Sequence, residues 1–229
     1  MFELDHILIG VTDAESAEVA LRTFGMTFSV HREHRGQGTR NACAVFENAF
    51  LELLYQGDKS EILSELVAPL GLYERINWKS SGACPFGFCF RAIEGSSGKL
   101  DPKTLPFETW PYEAAYLPTG MSIPIVTPQR SFDEPLIFIG TWGTSPRTWE
   151  ENAGGLPLHC GRQRKLTHFR MQVPPVQSAL SSGFRWFVEH GLLPSPVASA
   201  SPHLELHWDD GECGESASFQ PTLPMSICW

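Results

Sequence analysis

The sequence predicts an α+β fold made of repeated β-α-β-β-β modules that form a curved mixed sheet, and three observations carry this prediction. The run LDHILIGV at residues 4–11 is rich in Ile, Leu and Val, and a helical stripe follows it. Three further β-like runs follow that helix. Residues 166–173, LTHFRMQV, repeat the pattern of the first run, with His168 at the position of His6. Such internal similarity is typical of a duplicated module.

The first module occupies residues 1–56. Asp13, at the end of the first run, can cap a helix. The helix is predicted by apolar residues with i, i+3, i+4 and i+7 spacing, namely Ala17, Ala20, Leu21 and Phe24. Gly25 is a natural stop for this helix. The β-like runs then lie at residues 26–33, 41–47 and 49–55, separated by a Gly-rich turn and by Asn48.

Residues 57–83 connect the first module to a second one at residues 84–146. An apolar face over residues 61–74 predicts a helix in the connection. In the second module the helix is degraded, because Gly, Pro and Ser replace an apolar stripe over residues 95–111. Its strands are predicted at residues 86–92, 112–117, 121–126 and 135–141.

Residues 147–165 have no periodicity and are predicted to form a long loop. Residues 166–229 form a third, module-like unit. Its first strand is LTHFRMQV, and its helix is expected to end at Gly191. Further strands are predicted at residues 203–208 and 223–228.

Composition limits the function classes. The chain has 229 residues with 42% hydrophobic content, which is enough to bury a sizeable core. Seventeen Lys and Arg against 26 Asp and Glu give a net charge of −9 without blocks of like charge, so neither nucleic acid nor an anionic membrane is an expected partner. No apolar run is long enough to span a membrane, and the start MFELDH lacks the features of an export signal, which predicts a cytoplasmic protein. Six cysteines without C-x-x-C spacing are expected to be reduced.

His6 and Glu52 stand out as polar residues within apolar strands. Glu52 lies in FLELLYQ, where burying a charge is costly unless the carboxylate is paired or binds a metal. His and Glu are ordinary ligands of Zn²⁺, Fe²⁺, Mn²⁺ and Ni²⁺, and a catalytic site needs about three protein ligands. The alternative from the residues alone is a hydrogen-bonded core histidine and a Glu52 on the solvent face of its strand.

The stretch HREHRGQGTRNACAVFENAFLELL at residues 31–54 resembles the glyoxalase-like domain family of the vicinal-oxygen-chelate superfamily. That family has a His, then Gly-Thr-x-Asn, then a Leu-Glu-Leu strand, and the pattern is matched here by His34, Thr39, Asn41 and Glu52. The resemblance implies that His34, Thr39 and Asn41 border the substrate site.

Two later segments are similar to the same family. PLIFIGTW at residues 135–142 is similar to its Pro-Phe-Phe-Ile-x-Trp strand, which adds Trp142 as a substrate-binding residue. LHCG at residues 158–161 is similar to its His-Pro-Asn-Gly turn, which adds His159, although Cys160 stands where Pro is usual.

The resemblance implies a half-barrel cup in which His6 and Glu52 bind a divalent metal, because the superfamily has metal ligands on the first and fourth strands of the module. Glu52 is then also expected to act as a general base, in exchange between ligation and proton transfer. The second-module strand FGFCFRA at residues 86–92 has no His where a two-module glyoxalase would offer one. His168 is the expected third ligand, and His159 is the alternative.

Two functions follow as hypotheses. The first is an enzyme whose metal (Zn, Fe, Mn or Ni) chelates two adjacent oxygens of a small substrate, in a lyase, isomerase or dioxygenase reaction. The second is a metal-free protein that binds a small apolar or aromatic molecule in the cup, as some resistance proteins of the superfamily do. Both require a small-molecule ligand, and a homodimer is expected by analogy with the family.

One other strand carries metal-binding residue types. His203, Glu205 and His207 alternate along HLELHW and would share one face, which can bind metal at low affinity. The simpler interpretation is a strand surface that faces solvent.

Overall fold

The computed structural model describes residues 2–28, 30–93, 102–141, 145–146, 165–175 and 180–229. The predicted α+β fold with curved mixed sheets is confirmed. The first sheet contains β1 (Phe2–Gly10), β2 (Val30–His34), β3 (Thr39–Val45), β4 (Phe50–Gln56), β5 (Phe86–Ala92), β6 (Trp110–Tyr112), β7 (Ile123–Ile125) and β8 (Leu136–Ile139). The second contains β9 (Leu166–Val173), β10 (Val197–Ala198), β11 (His203–Trp208), β12 (Ser216–Ser218) and β13 (Met225–Cys228). The α-helices are α1 (Ala14–Phe24), α2 (Lys59–Ile62), α3 (Leu72–Ile76), α4 (Trp78–Ser81) and α5 (Ser182–Glu189).

The first sheet consists of two halves with the same order of pairing. Its strand order is β2-β3-β4-β1-β5-β8-β7-β6. Within the halves β1 pairs parallel with β4 and β5 pairs parallel with β8, and β1 and β5 meet antiparallel at the centre. The strands predicted for residues 84–146 are present, but β6 is only three residues long and begins earlier than predicted. A β-α-β-β-β chain therefore forms one half of the sheet, and a strand set of the same pairing forms the other.

The second sheet has the order β10-β9-β11-β13-β12. The last strand in the chain, β13, pairs parallel with β11 and not with β9, as the fourth strand of that unit would. The two-residue β10 takes the parallel position beside β9 instead. Repetition between residues 4–25 and 166–191 stays a prediction, although both begin with a strand followed by a helix.

The connection between the halves is not the single helix predicted over residues 61–74. It consists of α2, a 3-10 turn at Ala68–Leu70, α3 and α4. Pro69 cannot donate a backbone hydrogen bond, and Gly71 has the left-handed φ of 66°, so a continuous helix is interrupted there. Ile62, Val67 and Leu70 of the predicted face are buried and pack together with Leu8 of β1, whereas Leu63 and Leu66 are exposed.

The two sheets share one core. Alternate residues of β1 and β5, such as Ile7 and Phe88, point away from the cup towards the second sheet. Phe88 stacks on Phe169 of β9 with ring centroids 5.2 Å apart, and Phe46 contacts Trp208 of β11 at 4.4 Å. Helices α1 and α5 complete this core. One face of the first sheet is therefore buried by packing, and its other face is left for a site.

Helix α1 follows the predicted capping. The Asp13 carboxylate accepts a hydrogen bond from the Ser16 backbone N–H, and Gly25 ends the helix with a φ of 112°. Among the residues that the structure describes, no helix has the length and apolar character needed to cross a bilayer. The cysteines at described positions are all free: Cys43, Cys84, Cys89, Cys213 and Cys228.

Candidate functional site

A β-bulge in β1 turns His6 towards the open face of the first sheet. Opposite β5, Leu4 pairs with Phe90 and His6 with Cys89, so Asp5 is the extra residue. The bulge reverses the alternation: Leu4 packs into the shared core, whereas both Asp5 and His6 line the cup. A regular strand would have put His6 on the face of Leu4. A prediction that assumes regular alternation of side chains along the strand cannot find this reversal.

His6 lies between two carboxylates. Its Nδ1 is 2.6 Å from Asp5 Oδ1, and its Nε2 is 3.3 Å from Glu52 Oε2. The far side of Asp5 accepts a hydrogen bond from Arg91 Nη1 at 2.9 Å. Each carboxylate thus has a second partner, since Asn41 Nδ2 donates to Glu52 Oε1 at 2.6 Å. These contacts fix the orientation of the His6 ring and leave one Glu52 oxygen facing His6.

Burial and direct contacts shift the pKa values of Glu52 and His6 in opposite directions. Burial would raise the pKa of Glu52, but its hydrogen bond with His6, the charge of His6 and the Asn41 amide lower that pKa to about 2. Burial would lower the pKa of His6, but contacts with Cys89, Asp5 and Glu52 raise it well above 6.5. The Cys89 thiol is neutral because burial raises its pKa, so the two carboxylates stabilise the charge on His6. At neutral pH this end of the cup therefore holds an imidazolium between two carboxylates.

A polar chain continues from Glu52 to the edge of the cup. Asn41 Nδ2 is also 3.5 Å from His34 Nε2, and His34 Nδ1 is 3.0 Å from Thr39 Oγ1. Gln37 Nε2 donates to the same Thr39 oxygen at 2.7 Å. If the Asn41 amide donates to Nε2, the His34 proton lies on Nδ1 and is donated to Thr39. Burial lowers the pKa of His34, which favours this neutral form.

Two tyrosines from the second half of the sheet extend this series of hydrogen bonds. The hydroxyls of Tyr112 and Tyr116 donate to Gln37 Oε1 at 3.1 and 3.4 Å. The Tyr116 ring lies 5.0 Å from the His34 ring. The turn that carries Gln37 is tight because Gly38 has a φ of 72° and a Cβ there would meet the Asp58 carbonyl at 2.3 Å.

Apart from Arg32, the remainder of the cup is mainly apolar. Its cavity has a volume of about 380 Å³. The walls opposite the polar chain are aliphatic and aromatic side chains of the second half and of the connection, among them Leu70, Leu72, Ile123, Ile125, Leu136 and Phe138. A concave apolar pocket with a few polar groups at one end is the usual form of a small-molecule site.

The two halves of the sheet differ at the polar end. His6 pairs with Phe50 of β4, and Glu52 follows two residues later. In the other half Cys89 pairs with Phe138 of β8, and Gly140 follows two residues later. Cys89 and Gly140 therefore occupy the positions that correspond to His6 and Glu52. His6 and Glu52 therefore both come from the first half, and the second half contributes a thiol, the two tyrosine hydroxyls and the apolar wall.

The structure brings together only part of the predicted site. His6, Glu52, Asn41 and His34 line the cup, and Thr39 lies behind His34, fully buried. His168 does not reach the cup: it lies on the outer face of β9 in the second sheet, where its ring stacks on His207. β9 has a register shift like that of β1: Leu166 pairs with Trp208 and His168 with His207, so Thr167 is the extra residue. His168 shares a face with exposed Arg170, whereas Met171 and Val173 face the core.

Trp142 and His159 lie outside the described residues. Several lining residues were not predicted, namely Asp5, Gln37, Cys89, Tyr112 and Tyr116. Asp5 and Cys89 carried the same signal as Glu52, a polar or reactive side chain within an apolar strand. The tyrosines gave no such signal, because aromatic residues are ordinary in a strand such as the one predicted over residues 112–117.

The comparisons with known proteins agree on the fold. A family model described as a glyoxalase-like domain matches residues 4–94. A hypothetical protein from Staphylococcus aureus is similar over 99% of both chains with a TM-score of 0.57 and 9% identity. At that identity the likeness shows the fold alone.

Two further solved structures are more distant. A methylmalonyl-CoA epimerase in complex with methylmalonyl-CoA and NH4+ matches 61% of this chain and 93% of its own, with a TM-score of 0.41 and 17% identity. The methylmalonyl-CoA epimerase from Mycobacterium tuberculosis matches 60% of this chain and 85% of its own, with a TM-score of 0.39 and 19% identity. A search of the curated proteins finds no match.

Proposed function

We propose that the chain is a glyoxalase-like member of the vicinal-oxygen-chelate superfamily and that the cup is the active site of a metal-dependent enzyme acting on a small molecule. The match of a glyoxalase-like family model to residues 4–94 supports this proposal. The observation that carries the proposal is the arrangement around His6, whose Nδ1 contacts Asp5 while its Nε2 faces Glu52 Oε2 at 3.3 Å. The reaction classes that fit are isomerase, lyase and dioxygenase.

The donor set fits a divalent transition metal. A metal-binding histidine commonly donates its other ring N–H to a carboxylate, and Asp5 accepts from His6 Nδ1 in that way. Asn41 holds Glu52 Oε1, so Oε2 is the oxygen left for a cation. An imidazole nitrogen and a carboxylate oxygen are ligands that Zn, Fe, Mn and Ni accept. The Cys89 thiol lies within 4.8 Å of one donor atom each of His6 and Asp5, in a group that does not include Glu52. Its proximity to His6 makes Cys89 the proposed third ligand, in the role expected of His168.

The shape of the cavity supports a substrate with two unlike ends. An oxygen-bearing end fits beside His6 and Glu52, and an apolar body fits the wall of Leu70, Leu136 and Phe138. A bound metal supplies Lewis-acid stabilisation for negative charge that develops on substrate oxygens.

The chain itself offers a proton acceptor other than Glu52. With a pKa of about 2, the Glu52 carboxylate is a weak base and is better suited to ligation. Neutral His34 has its Nε2 beside the same Asn41 amide and faces the cup, and Thr39 holds its Nδ1. We assign His34 as the general base, with Thr39 and Gln37 as residues that orient its ring.

Metal analysis tests the proposal. Purified chain is loaded separately with Zn²⁺, Mn²⁺, Fe²⁺ or Ni²⁺, and bound metal is counted by mass spectrometry and by calorimetric titration. Glu52→Gln and His6→Gln should each lose one equivalent of metal. His31→Gln removes an exposed histidine of β2 outside the cup and is the matched control. Unchanged metal content in both cup variants would contradict the enzyme proposal.

A metal-free binder is the second candidate, and the asymmetry of the halves favours it. Cys89 and Gly140 stand where a second His and Glu would complete a symmetric donor set. This candidate requires that an apolar fluorescent probe, anilinonaphthalene sulfonate, binds the metal-free chain. Phe138→Arg should then weaken binding, because Phe138 forms part of the apolar wall.

A further inference from the structure

The outer face of the second sheet carries a second group of metal-binding side chains. On β11 the apolar residues Leu204 and Leu206 face the shared core, so Glu205 and His207 point to the other side. Cys228 of β13 lies directly beside His207 in the strand register. These residues lie in a different sheet from the cup and face away from it.

The three side chains are already close together. His207 Nε2 is 2.6 Å from Glu205 Oε1, and the donor atoms of Glu205, His207 and Cys228 all lie within 4.8 Å of one another. All three are half-buried. Because they come from two adjacent strands of one sheet, their backbones are held in register by the strand pairing, and little reorganisation is needed to bring the donors onto one ion.

A fourth donor stands on the third strand. His168 of β9 is the register partner of His207 on the side opposite Cys228. The two imidazole rings stack with centroids 3.9 Å apart. The three adjacent strands β9, β11 and β13 thus each place one donor side by side, namely His168, His207 and Cys228.

We propose that this outer face is a zinc site in which Glu205, His207 and Cys228 are ligands and His168 is the adjacent donor. One thiolate, imidazole nitrogens and a carboxylate form a set that Zn²⁺ binds in four-coordinate geometry. The ion replaces the proton shared by His207 and Glu205, and it competes with the contact from Arg170 Nη1 to Glu205 Oε1 at 3.3 Å. His203 stays outside the site, because its nitrogens contact Ser226 and Gln220.

The consequence of binding is a cross-link within the second sheet. Ligands on β11 and β13 tie these strands together, and His168 extends the link to β9. An ion that binds the native state and not the unfolded chain raises the thermal midpoint with increasing concentration. The site is independent of the proposed function, because its residues do not line the cup.

Titration of the metal-free, 229-residue chain with Co²⁺ and with Zn²⁺ tests this site. Thiolate ligation to Co²⁺ gives a sulfur-to-metal charge-transfer absorption. That absorption should be present in the wild type and in Cys89→Ser and Cys213→Ser, which remove the cup thiol and an exposed thiol. Because Cys89 is itself a candidate ligand in the cup, the decisive comparison is made in the Cys89→Ser background. Adding Cys228→Ser there should remove the absorption, and adding His207→Gln should weaken Zn²⁺ binding at this site by at least about tenfold.

The possible results separate the two metal proposals. Loss of the absorption in Cys89→Ser with retention in Cys228→Ser would assign the thiolate to the cup and overturn the outer-face site. Absence of a thiolate band in the wild type would overturn it as well. Loss of one metal equivalent in Cys228→Ser but not in Glu52→Gln would support the outer-face site and count against the cup metal. Circular dichroism of each variant before titration verifies that its second sheet is folded.

Discussion

The Glu52→Gln variant is expected to flatten the acid dependence of stability. The pKa of Glu52 is about 2 in the native state against 4.5 for the ordinary carboxyl, so the folded state favours the ionised form. The stabilisation is present above pH 4.5 and is lost as the pH falls towards 2. Between pH 6 and pH 3 the linkage relation gives a loss of about 2 kcal/mol in the free energy of unfolding for this one group. Gln cannot titrate, so the variant lacks this component.

Urea unfolding at pH 3, 4, 5 and 6 measures the effect. The stability difference between wild type and Glu52→Gln should be larger at pH 6 than at pH 3, by about 2 kcal/mol. The control is Glu33→Gln on β2, which removes a carboxylate whose side chain is 50% exposed. Parallel profiles for wild type and Glu52→Gln over this range would refute the argument that His6 and Asn41 stabilise an ionised, buried Glu52.

Three further substitutions have expected outcomes. Asn41→Ala removes the hydrogen bond that holds Glu52 Oε1 and should weaken metal binding at the cup by about 10- to 100-fold. Calorimetric titration measures this affinity, and an unchanged value would show that Asn41 does not orient Glu52. Gly10→Ala puts a Cβ 2.6 Å from the Arg75 carbonyl oxygen and should lower the free energy of unfolding in urea by about 1–3 kcal/mol. An unchanged free energy of unfolding would contradict that close packing. Phe88→Ala empties a fully buried position between the two sheets and should cost about 3–5 kcal/mol, while the metal content of the folded variant stays at the wild-type value.

The local patterns of the first module were sufficient to predict its elements. The strand at the start, the stripe of α1 and the cap at Gly25 all depend on side chains close in sequence, and the structure has them. The connection was mispredicted as one helix because its apolar spacing is helical, whereas Pro69 and Gly71 interrupt the backbone. Ile62, Val67 and Leu70 are buried all the same, whereas Leu63 and Leu66, which a continuous helix would have placed on the same face, are exposed.

The sequence by itself determined that His6 and Glu52 are unusual, because each is a polar group in an apolar strand. Only the tertiary structure decided that they meet, since the bulge at Asp5 turns His6 to the cup and the parallel pairing of β1 with β4 brings Glu52 beside it. The same similarity of pattern made His168 look equivalent to His6. Strand pairing separates them, because β9 joins a second sheet and its alternation directs His168 to the outer face, beside His207. Residue type is local, but which donors share one ion depends on pairing between strands that are far apart in the chain.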